Sequence, residues 1–335
     1  MDTKIDFVIL WVDGNDAKWQ KEKNKYMNKS RKDINGIVRY REWDNLKYWF
    51  RGVEKFAPWV NRIYFITYGH IPKWLNTEHP KLKIINHKDY IPKEYLPTFS
   101  SHPIELNLWR INELSEHFVL FNDDVFLINF VKKEDFFVNG IPRDSYNEVN
   151  LDFSSLDKTF ASILNNNYRI LNKYYDKRKK IFRYPLKYVN MKYGMKKNLQ
   201  TIKTTISYPL FRGINNEHVA QSFLKSYFEK LWIVEEKLLD DTSKNRFRSE
   251  TDINQYLIRY FQLMDGRFNP RNPRKFGIYF DIGENNERII SCIERQKVKC
   301  ICINDSNPNI DFDKSKEEIN NAFDKILSEK CSFEM

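Results

Sequence analysis

Short apolar runs alternate with amphipathic stretches along most of the chain. Residues 5–12, IDFVILWV, are rich in Ile and Val and stop at Asp13, which is typical of a buried parallel strand that enters a loop. Residues 43–57 carry apolar side chains at helical spacing and are followed by Pro58, so they predict an amphipathic helix. The same patterns predict further strands at 62–69, 83–87, 117–124, 277–282 and 298–305, and helices at 104–116 and after residue 311. Strands that alternate with helices predict an α/β fold with a doubly wound, mostly parallel sheet, Rossmann-like or GT-A-like.

Carboxylates stand where several of these strands end. Asp13 follows the first strand, Asp123 and Asp124 follow the fourth, and Asp305 ends the last. A carboxylate pair at a strand end is either a capped turn or a metal or catalytic site, because ionised carboxylates are rarely buried without a partner. In parallel α/β sheets, ligands bind beyond the carboxyl ends of the strands, which favours the functional interpretation. These oxygens suit Mg²⁺ or Mn²⁺, and one carboxylate could act as a general base.

Two stretches in the second half of the chain predict helices whose first turns carry cationic groups. Residues 215–232 predict a helix capped by Asn215 or Asn216, which would put His218 in the first turn. Ser249-x-x-Asp252 resembles a capping box for the next helix, and Arg246 and Arg248 stand just before it. Helix N-termini that carry cationic groups attract diphosphates. The alternatives are that His218 is an incidental polar residue at a helix start and that Arg246 and Arg248 are a surface pair. Together with the carboxylates, the functional interpretation indicates phosphoryl transfer.

Composition and charge add a predicted division of the chain. At 335 residues and 41% hydrophobic, the chain can bury a large core. We expect residues 1–150 and 204–310 to form the two halves of a catalytic domain, residues 151–203 a basic helical insertion rich in Tyr and Lys, and residues 311–335 a C-terminal helix. Residues 168–203 hold twelve Lys or Arg and one acidic residue, Asp176. This insertion is either a solvated surface excursion or a contact for a polyanionic acceptor or an anionic membrane.

The remaining sequence features concern the cellular location and the class of partner. The four cysteines lie in the last fifth of the chain without a CxxC pair, which is typical of reduced core thiols. Neither a signal-peptide pattern nor a run of about 18 apolar residues is present. We therefore expect a cytoplasmic protein, with a peripheral position at the inner face of the cell membrane left open. The net charge of +11 also allows a nucleic-acid-binding protein, but no nucleic-acid-binding motif accompanies it, so we expect no nucleic-acid partner.

Four sequence blocks resemble the Stealth family. IDFVILWVDGNDAKW resembles its first block, and residues 39–76 together with 96–126 resemble the long second block. EHVAQSFLKSYFEKLW with RFRSETD is similar to the third block, and CICINDS is similar to the fourth. The family includes bacterial capsule polymerases and the N-acetylglucosamine-1-phosphotransferase that tags lysosomal enzymes. The resemblance implies transfer of a sugar-1-phosphate from a nucleotide sugar to a hydroxyl of an acceptor glycan, free or lipid-linked, with release of a nucleoside monophosphate.

The resemblance also implies the site residues. The implied catalytic residues are Asp123, Asp124 and His218. Substrate-binding roles are expected of Asp13, Arg51, His102, Arg110, Arg246, Arg248 and Asn304. The expected metal ligands, for Mg²⁺ or Mn²⁺, are Asp123, Asp124 and Asp305.

The chain departs from the family pattern beside these residues. Val219-Ala220-Gln221 follows His218 where members often have a small residue and proline. WFRG, which contains Gly52, replaces the common SLRS, and Asn45 replaces an acidic residue. These departures leave the sugar and the nucleotide open. An ordinary metal-dependent glycosyltransferase of the GT-A type is the alternative enzyme, since it has a similar sheet but attacks the anomeric carbon of the donor.

Overall fold

The computed structural model describes residues 3–27 and 41–335. The strands in these residues are β1 Ile5–Leu10, β2 Ile63–Thr67, β3 Leu82–Asn86, β4 His117–Phe121, β5 Val125–Leu127, β6 Phe137–Val138, β7 Ile141–Asp144, β8 Gln221–Leu224, β9 Asn269–Pro270, β10 Gly277–Asp281 and β11 Cys300–Asn304. The helices are α1 Ala17–Tyr26, α2 Leu46–Phe56, α3 His87–Tyr90, α4 Ser101–Leu106, α5 Lys158–Tyr174, α6 Lys177–Arg183, α7 Pro185–Tyr188, α8 Met195–Ser207, α9 Lys225–Val234, α10 Glu236–Lys244, α11 Gln255–Met264, α12 Pro273–Phe276, α13 Glu287–Glu294 and α14 Phe312–Ile326.

A five-stranded sheet in the order β3-β2-β1-β4-β8 forms the centre of the fold. β1, β2, β3 and β4 run parallel, and β8 runs antiparallel to β4. β1 lies between β2 and β4, with Val8 paired to Tyr64 on one side and Leu120 on the other. Its continuous apolar sequence fits this central place, because both faces of the strand are covered. The prediction of an α/β fold with a mostly parallel sheet is confirmed.

Two three-stranded sheets complete the described strands, in the orders β10-β11-β5 and β6-β7-β9. β11 is parallel to β10 and antiparallel to β5. β5 begins directly after Asp124, and the backbone amide of Ile303 donates to the carbonyl of Asp124 at 2.9 Å. The carboxyl end of β11 therefore lies beside the turn that follows β4.

Helix α2 confirms the helix predicted at 43–57, and it packs closely on β5. Gly52 makes this approach possible, since a Cβ atom at that position would lie 2.8 Å from the carbonyl oxygen of Leu127. The departure from the family pattern at Gly52 thus has a packing reason in this chain.

Three helix predictions need correction. Residues 215–232 do not form one helix: residues 221–224 are strand β8, and the helix begins only at Lys225. Pairing of this apolar segment with β4 overrides its helical pattern, because the pair buries Phe223 and Leu224 completely or nearly so. The helix predicted at 104–116 is instead the short α4, which ends at Leu106 and is followed by a 3₁₀ turn at 108–110.

The third correction concerns the helix that follows Arg246 and Arg248. Asn254, rather than Ser249, caps α11, and its side chain accepts from the backbone amide of Tyr256. The Ser249 amide does donate to Asp252 Oδ2 at 2.9 Å, but this pair closes a turn ahead of the helix. The two arginines therefore lie in a loop and not at a helix N-terminus.

The basic insertion is built into the fold through buried polar and aromatic contacts. Tyr168 of α5 stacks on Tyr260 of α11 with 5.4 Å between ring centroids, and their hydroxyls are 3.1 Å apart. Lys177 is buried and contacts Glu148 at 2.7 Å. The insertion is therefore more than a solvated excursion, although α8 leaves one face open to solvent. The division of the chain at residues 150, 203 and 310 stays a prediction.

No helix in the described part of the chain has both the length and the apolar character needed to span a bilayer.

Candidate active site

The carboxyl edge of the parallel sheet brings acidic side chains from separate parts of the chain together. Asp13 follows β1, and its backbone amide donates to Nδ1 of His70, which follows β2, at 3.1 Å. Glu42 lies nearby: burial raises the pKa of its carboxyl, and the charges of Asp44 and Asp13 raise it further. Glu42 in turn acts on the pKa of Asp123. The charges of Asp13 and Asp123 thus each interact with Glu42 near the ends of β1 and β4.

Asp123 has a carboxyl group that is poised to take up or release a proton near neutral pH. The residue is exposed to solvent, and neighbouring protein atoms displace part of the hydration of its carboxyl group. This desolvation and the adjacent Asp124 charge raise the pKa of Asp123 to about 7. An accessible carboxyl with such a pKa is suited to general-base chemistry.

Asp124 points towards a different set of neighbours. Its Oδ2 lies 3.6 Å from Nε2 of His218 and accepts from the thiol of Cys302 at 3.3 Å. Its Oδ1 is buried and has no hydrogen-bond partner among residues 3–27 and 41–335. The Asp124 carboxylate therefore faces β11 and His218, while the Asp123 carboxyl lies within range of the Glu42 charge.

His218 reaches this edge because it lies three residues before β8. β8 runs antiparallel to β4, so its first residue is level with the end of β4, and the preceding loop lies at the carboxyl edge. The backbone of His218 has a φ of 44°, a left-handed conformation that is strained for a residue with a Cβ atom. The sequence-based placement of His218 in the first turn of a helix is therefore wrong, although its place beside Asp124 matches the expected site.

Hydrogen bonds and charges set the state of the His218 ring. Nδ1 shares a hydrogen bond of 2.9 Å with the Tyr256 hydroxyl, and the ring meets the Tyr279 ring edge-on at 5.7 Å. Burial lowers the pKa of His218, but the Asp124 carboxylate and the Glu105 charge outweigh it, so that the pKa is raised above its ordinary value. The surroundings favour the imidazolium, which is the form that can donate a proton or neutralise a phosphate.

A buried layer lies next to His218. Burial raises the pKa of Glu105 to about 7, although the Arg248 charge and a hydrogen bond from Ser101 lower it. Arg248 Nη2 donates to Ser101 Oγ at 3.2 Å. His102 Nδ1 lies 2.8 Å from Asp252 Oδ2, and both side chains are buried. Arg248 and His102 therefore belong to the surroundings of the site, with His102 in a supporting position.

The ends of β10 and β11 supply polar groups on the other side of Asp124. Asp281 Oδ1 accepts from Tyr279, Asn304 and Ser306 at 2.6, 2.7 and 3.0 Å. Burial raises the pKa of Asp281, but these three donors outweigh it and the net effect lowers the pKa. Asn304 thus lies beside Asp281 and holds its carboxylate in place, and its expected role in substrate binding stays a prediction.

Several residues of the site were not predicted from the sequence. They are Glu42, Glu105, Tyr256, Tyr279, Asp281 and Cys302. Asp281 carried a usable signal, because it ends a strand just as Asp305 does. Glu42 stands in a charged stretch that has no strand or helix pattern, and the others stand inside apolar or helical patterns, where a polar or aromatic side chain is ordinarily part of the core.

The structure places four expected site residues in other surroundings. Arg51 is buried and binds Glu334 at 2.6 Å and the carbonyl of Leu327 at 2.8 Å, so it joins α2 to the C-terminal segment instead of facing a substrate. The guanidinium of Arg110 lies 4.5 Å from the Trp109 ring and 4.8 Å from that of Trp232.

Arg246 and Asp305 complete this group. The guanidinium of exposed Arg246 lies 4.7 Å from the ring of Tyr26, on the α1 side of the molecule. Asp305 faces Arg41 at 3.5 Å and accepts from Trp43 Nε1 at 3.2 Å. Asp305 Oδ1 faces this guanidinium without a hydrogen bond. In the described residues, neither Asp305 nor Asp123 belongs to the group of donor atoms within 4.8 Å of one another that contains Asp124.

Beside Asp124, the candidate ligands of a divalent cation are one carboxylate oxygen, one imidazole nitrogen and one thiol sulfur. Within the described residues, the group whose donor atoms all lie within 4.8 Å of one another is Asp124, His218 and Cys302. The orphaned buried Oδ1 of Asp124 fits a metal ligand, since an oxygen without a hydrogen bond is otherwise costly to bury. Burial raises the pKa of the Cys302 thiol well above its ordinary value, which disfavours thiolate ligation. Asp124 is therefore the residue that best fits a Mg²⁺ or Mn²⁺ ion, with the remaining positions left to water and substrate oxygens.

Comparison with known proteins gives the class. The chain matches Stealth protein conserved region 1 over residues 3–31 and conserved region 2 over residues 39–144. It is 45% identical over 337 residues to the capsular polysaccharide phosphotransferase WcwK of Streptococcus pneumoniae, covering 100% of both chains. It is 40% identical over 333 residues to the exopolysaccharide phosphotransferase cps2G of Lactiplantibacillus plantarum, covering 98% of this chain and 96% of that one. With its carboxylate edge and these relatives, the chain is an enzyme of the phosphotransferase class.

The family follows from the same comparisons: the chain belongs to the Stealth family, as the resemblance of its blocks predicted. A solved structure of the galactosyltransferase LgtC with donor and acceptor sugar analogues is 11% identical and covers 94% of this chain and 95% of that one. Its TM-score is 0.36, and a likeness this weak carries no argument about the activity.

Proposed function

We propose that this Stealth protein moves a sugar-1-phosphate from a nucleotide sugar to a hydroxyl of an acceptor glycan. In this reaction the acceptor oxygen forms a bond to the sugar-bearing phosphorus, and the bond from that phosphorus to the bridging oxygen breaks. The nucleoside monophosphate leaves with the bridging oxygen, and the acceptor proton passes to a base. The observation that carries the proposal is the position of accessible Asp123 next to Asp124, whose Oδ2 lies 3.6 Å from Nε2 of His218. These residues lie at the edge of the sheet where ligands bind.

The two aspartates take different roles in this proposal. Asp123 is the base, because its side chain is accessible to an acceptor and its pKa of about 7 lets it accept a proton near neutral pH. Asp124 is the residue that orients His218 and offers its buried Oδ1 to a cation. In this arrangement an acceptor hydroxyl binds at Asp123 while a diphosphate lies near Asp124.

His218 and Arg248 supply positive charge for the leaving monophosphate. The raised pKa of His218 favours the protonated ring, whose proton can pass to the bridging oxygen as it departs. Arg248 lies close enough for its charge to act on both His218 and Glu105. A diphosphate bound beside these groups would meet two cationic side chains that the fold already holds in place.

A Mg²⁺ or Mn²⁺ ion held through Asp124 would neutralise charge on the diphosphate when bound. Asp123 and Asp305, which the sequence also suggested as ligands, are left out of this assignment. Asp305 faces Arg41, and Asp123 is assigned the role of the base that accepts the acceptor proton.

The acceptor and the location extend the proposal. The basic surface of residues 168–203 suits an anionic acceptor, such as a phosphodiester-linked glycan, or a glycan carried on a lipid at the inner face of the membrane. Asp13 and Asn304 flank the carboxyl edge, where they can contact sugar hydroxyls.

Product analysis tests the reaction. The purified protein, incubated with nucleotide sugars and short glycans, should release a nucleoside monophosphate and form a product whose mass exceeds that of the acceptor by one sugar phosphate. Release of a nucleoside diphosphate, with a product heavier by one sugar alone, would instead assign the GT-A-type glycosyltransferase reaction.

Variants of the aspartates test the site. Asp123→Asn and Asp124→Asn should each lower kcat by at least about 100-fold, the usual effect of losing a positioned base or a charge that orients the site. Asp241→Asn, at an exposed position on α10, is the matched control and should keep wild-type turnover. If both site variants fold and turn over normally, the pair is only a capped turn.

A further inference from the structure

Helix α8 has the opposite polarity to a normal surface helix. The side chains that it buries against the protein are polar: Thr201, Thr204 and Thr205. The large apolar side chains lie on the outside, exposed by 40 to 78%: Met195, Leu199, Ile202 and Ile206. Their spacings of four, three and four residues put them in one stripe along the helix. The apolar face of α8 therefore points away from the rest of the described fold and is available to a partner.

The neighbourhood of α8 concentrates exposed apolar surface. Of the 17 large apolar side chains that are exposed in the described residues, 8 lie within residues 182–210. Besides the α8 stripe they are Phe182, Leu186, Met191 and Leu210. Scattered apolar side chains are normal on a protein surface, but a concentration of this kind marks an interaction site.

The charge around the stripe identifies the kind of partner. Residues 177–216 contain eleven Lys or Arg and no Asp or Glu. Lys196 and Lys203, both exposed, each follow a stripe residue and are seven positions apart, so they line one flank of the stripe. Some cations of the segment serve the fold, such as Lys177 against Glu148, but most are exposed.

We propose that α8 is an interfacial helix that binds an anionic membrane surface. The stripe Met195, Leu199, Ile202 and Ile206 enters the boundary between headgroups and acyl chains, and the flanking lysines meet anionic headgroups. A second copy of the chain fits less well, since a symmetric contact through this face would bring two basic segments without acidic residues together. A soluble anionic glycan would use the lysines but not the apolar stripe.

This surface gives the proposed function a place in the cell. A bound membrane would hold the enzyme where a lipid-carried acceptor lies. The use of such an acceptor rests on the proposed function. Vesicle binding does not depend on transfer, so the two can fail separately. A protein that binds vesicles but transfers no sugar phosphate would contradict the function alone.

Vesicle flotation with the full chain tests the proposal. The protein should bind vesicles of equal parts phosphatidylcholine and phosphatidylglycerol, bind poorly to phosphatidylcholine alone, and release partly as salt is raised. The Leu199→Gln/Ile206→Gln variant should lower the partition coefficient by at least about tenfold. Lys196→Gln/Lys203→Gln should also lower it and weaken the salt dependence.

A matched control has the same number of apolar replacements elsewhere on the surface. Ile233→Gln/Met335→Gln changes side chains that are exposed by 82% and 71%, outside residues 177–216, and should bind vesicles like the wild type. The stripe variant should keep the melting temperature of the wild type. Three results would overturn the proposal: absence of binding to the anionic vesicles, unchanged binding of the stripe variant, or self-association of the wild type that the stripe variant abolishes, which would assign the face to a second copy.

Discussion

The buried ion pair between Lys177 and Glu148 gives a prediction about stability. Both side chains are completely buried, and Lys177 Nζ contacts Glu148 Oε1 at 2.7 Å and the carbonyls of Leu210 and Thr204 at 3.0 and 3.3 Å. Lys177→Met keeps the aliphatic length but removes the charge. Burial raises the pKa of Glu148, and Lys177 is the group that most strongly counters this, so its loss leaves a buried carboxylate without its cation.

The expected loss is about 3–5 kcal/mol, the usual cost of breaking a buried pair from one side. After the replacement, Glu148 keeps only hydrogen bonds from Thr205 at 3.1 Å and Tyr146 at 3.4 Å. Such a loss is a large share of the roughly 5–15 kcal/mol that holds a typical protein folded. Lys179→Met, two residues along on the exposed face of α6, should change stability by no more than about 0.5 kcal/mol.

Urea denaturation followed by circular dichroism measures these differences. The double variant Lys177→Met/Glu148→Gln removes both charges and should be clearly more stable than Lys177→Met alone, because no unpaired charge is then buried. If Lys177→Met is as stable as Lys179→Met, or the double variant does not recover stability, the pair does not anchor the insertion. The sequence left open that the insertion contacts a polyanionic acceptor, which replacing Lys177, Arg178, Lys179 and Lys180 together by Gln would test through the KM for the acceptor. The buried place of Lys177 means that a fourfold replacement would report unfolding as well as binding.

Three further predictions concern packing, protons and metal. Gly52→Ala should destabilise the protein by about 1–3 kcal/mol in a thermal melt, because the added Cβ atom would lie 2.8 Å from the Leu127 carbonyl oxygen. This loss is expected although Ala is the better helix former. A rise in melting temperature would show that α2 can move. The value of kcat/KM should rise as the pH rises through about 7, because Asp123 accepts a proton only when ionised and its pKa is raised to about 7. The Glu105→Gln variant should show the same rise. If the rise is lost in that variant, the titrating group is Glu105. Chelation by EDTA should abolish turnover and Mg²⁺ or Mn²⁺ should restore it, whereas full activity after exhaustive chelation would leave charge neutralisation to His218 and Arg248.

The sequence alone determined the class of fold and the edge of the sheet that carries the site. Continuous apolar runs such as residues 5–10 predict strands that are buried on both faces. An Asp that follows such a parallel strand must lie at the carboxyl edge of the sheet. The positions of Asp13, Asp123 and Asp124 along the chain were therefore enough to assign them to this edge. The family blocks determined the reaction class, because a long ordered match leaves little room for chance.

Tertiary structure decided the arrangement within the site. Residues 217–232 have a helical pattern, yet pairing with β4 draws residues 221–224 into a strand, because that pairing buries their apolar side chains against the sheet. This pairing, and not a helix N-terminus, brings His218 to Asp124. Arg51 and Asp305 show the converse: their charges fit a binding site in sequence, but long-range partners, Glu334 and Arg41, hold them elsewhere. Contacts between residues hundreds of positions apart have no local signal, so only the folded chain could distinguish a substrate-binding charge from one that the fold uses.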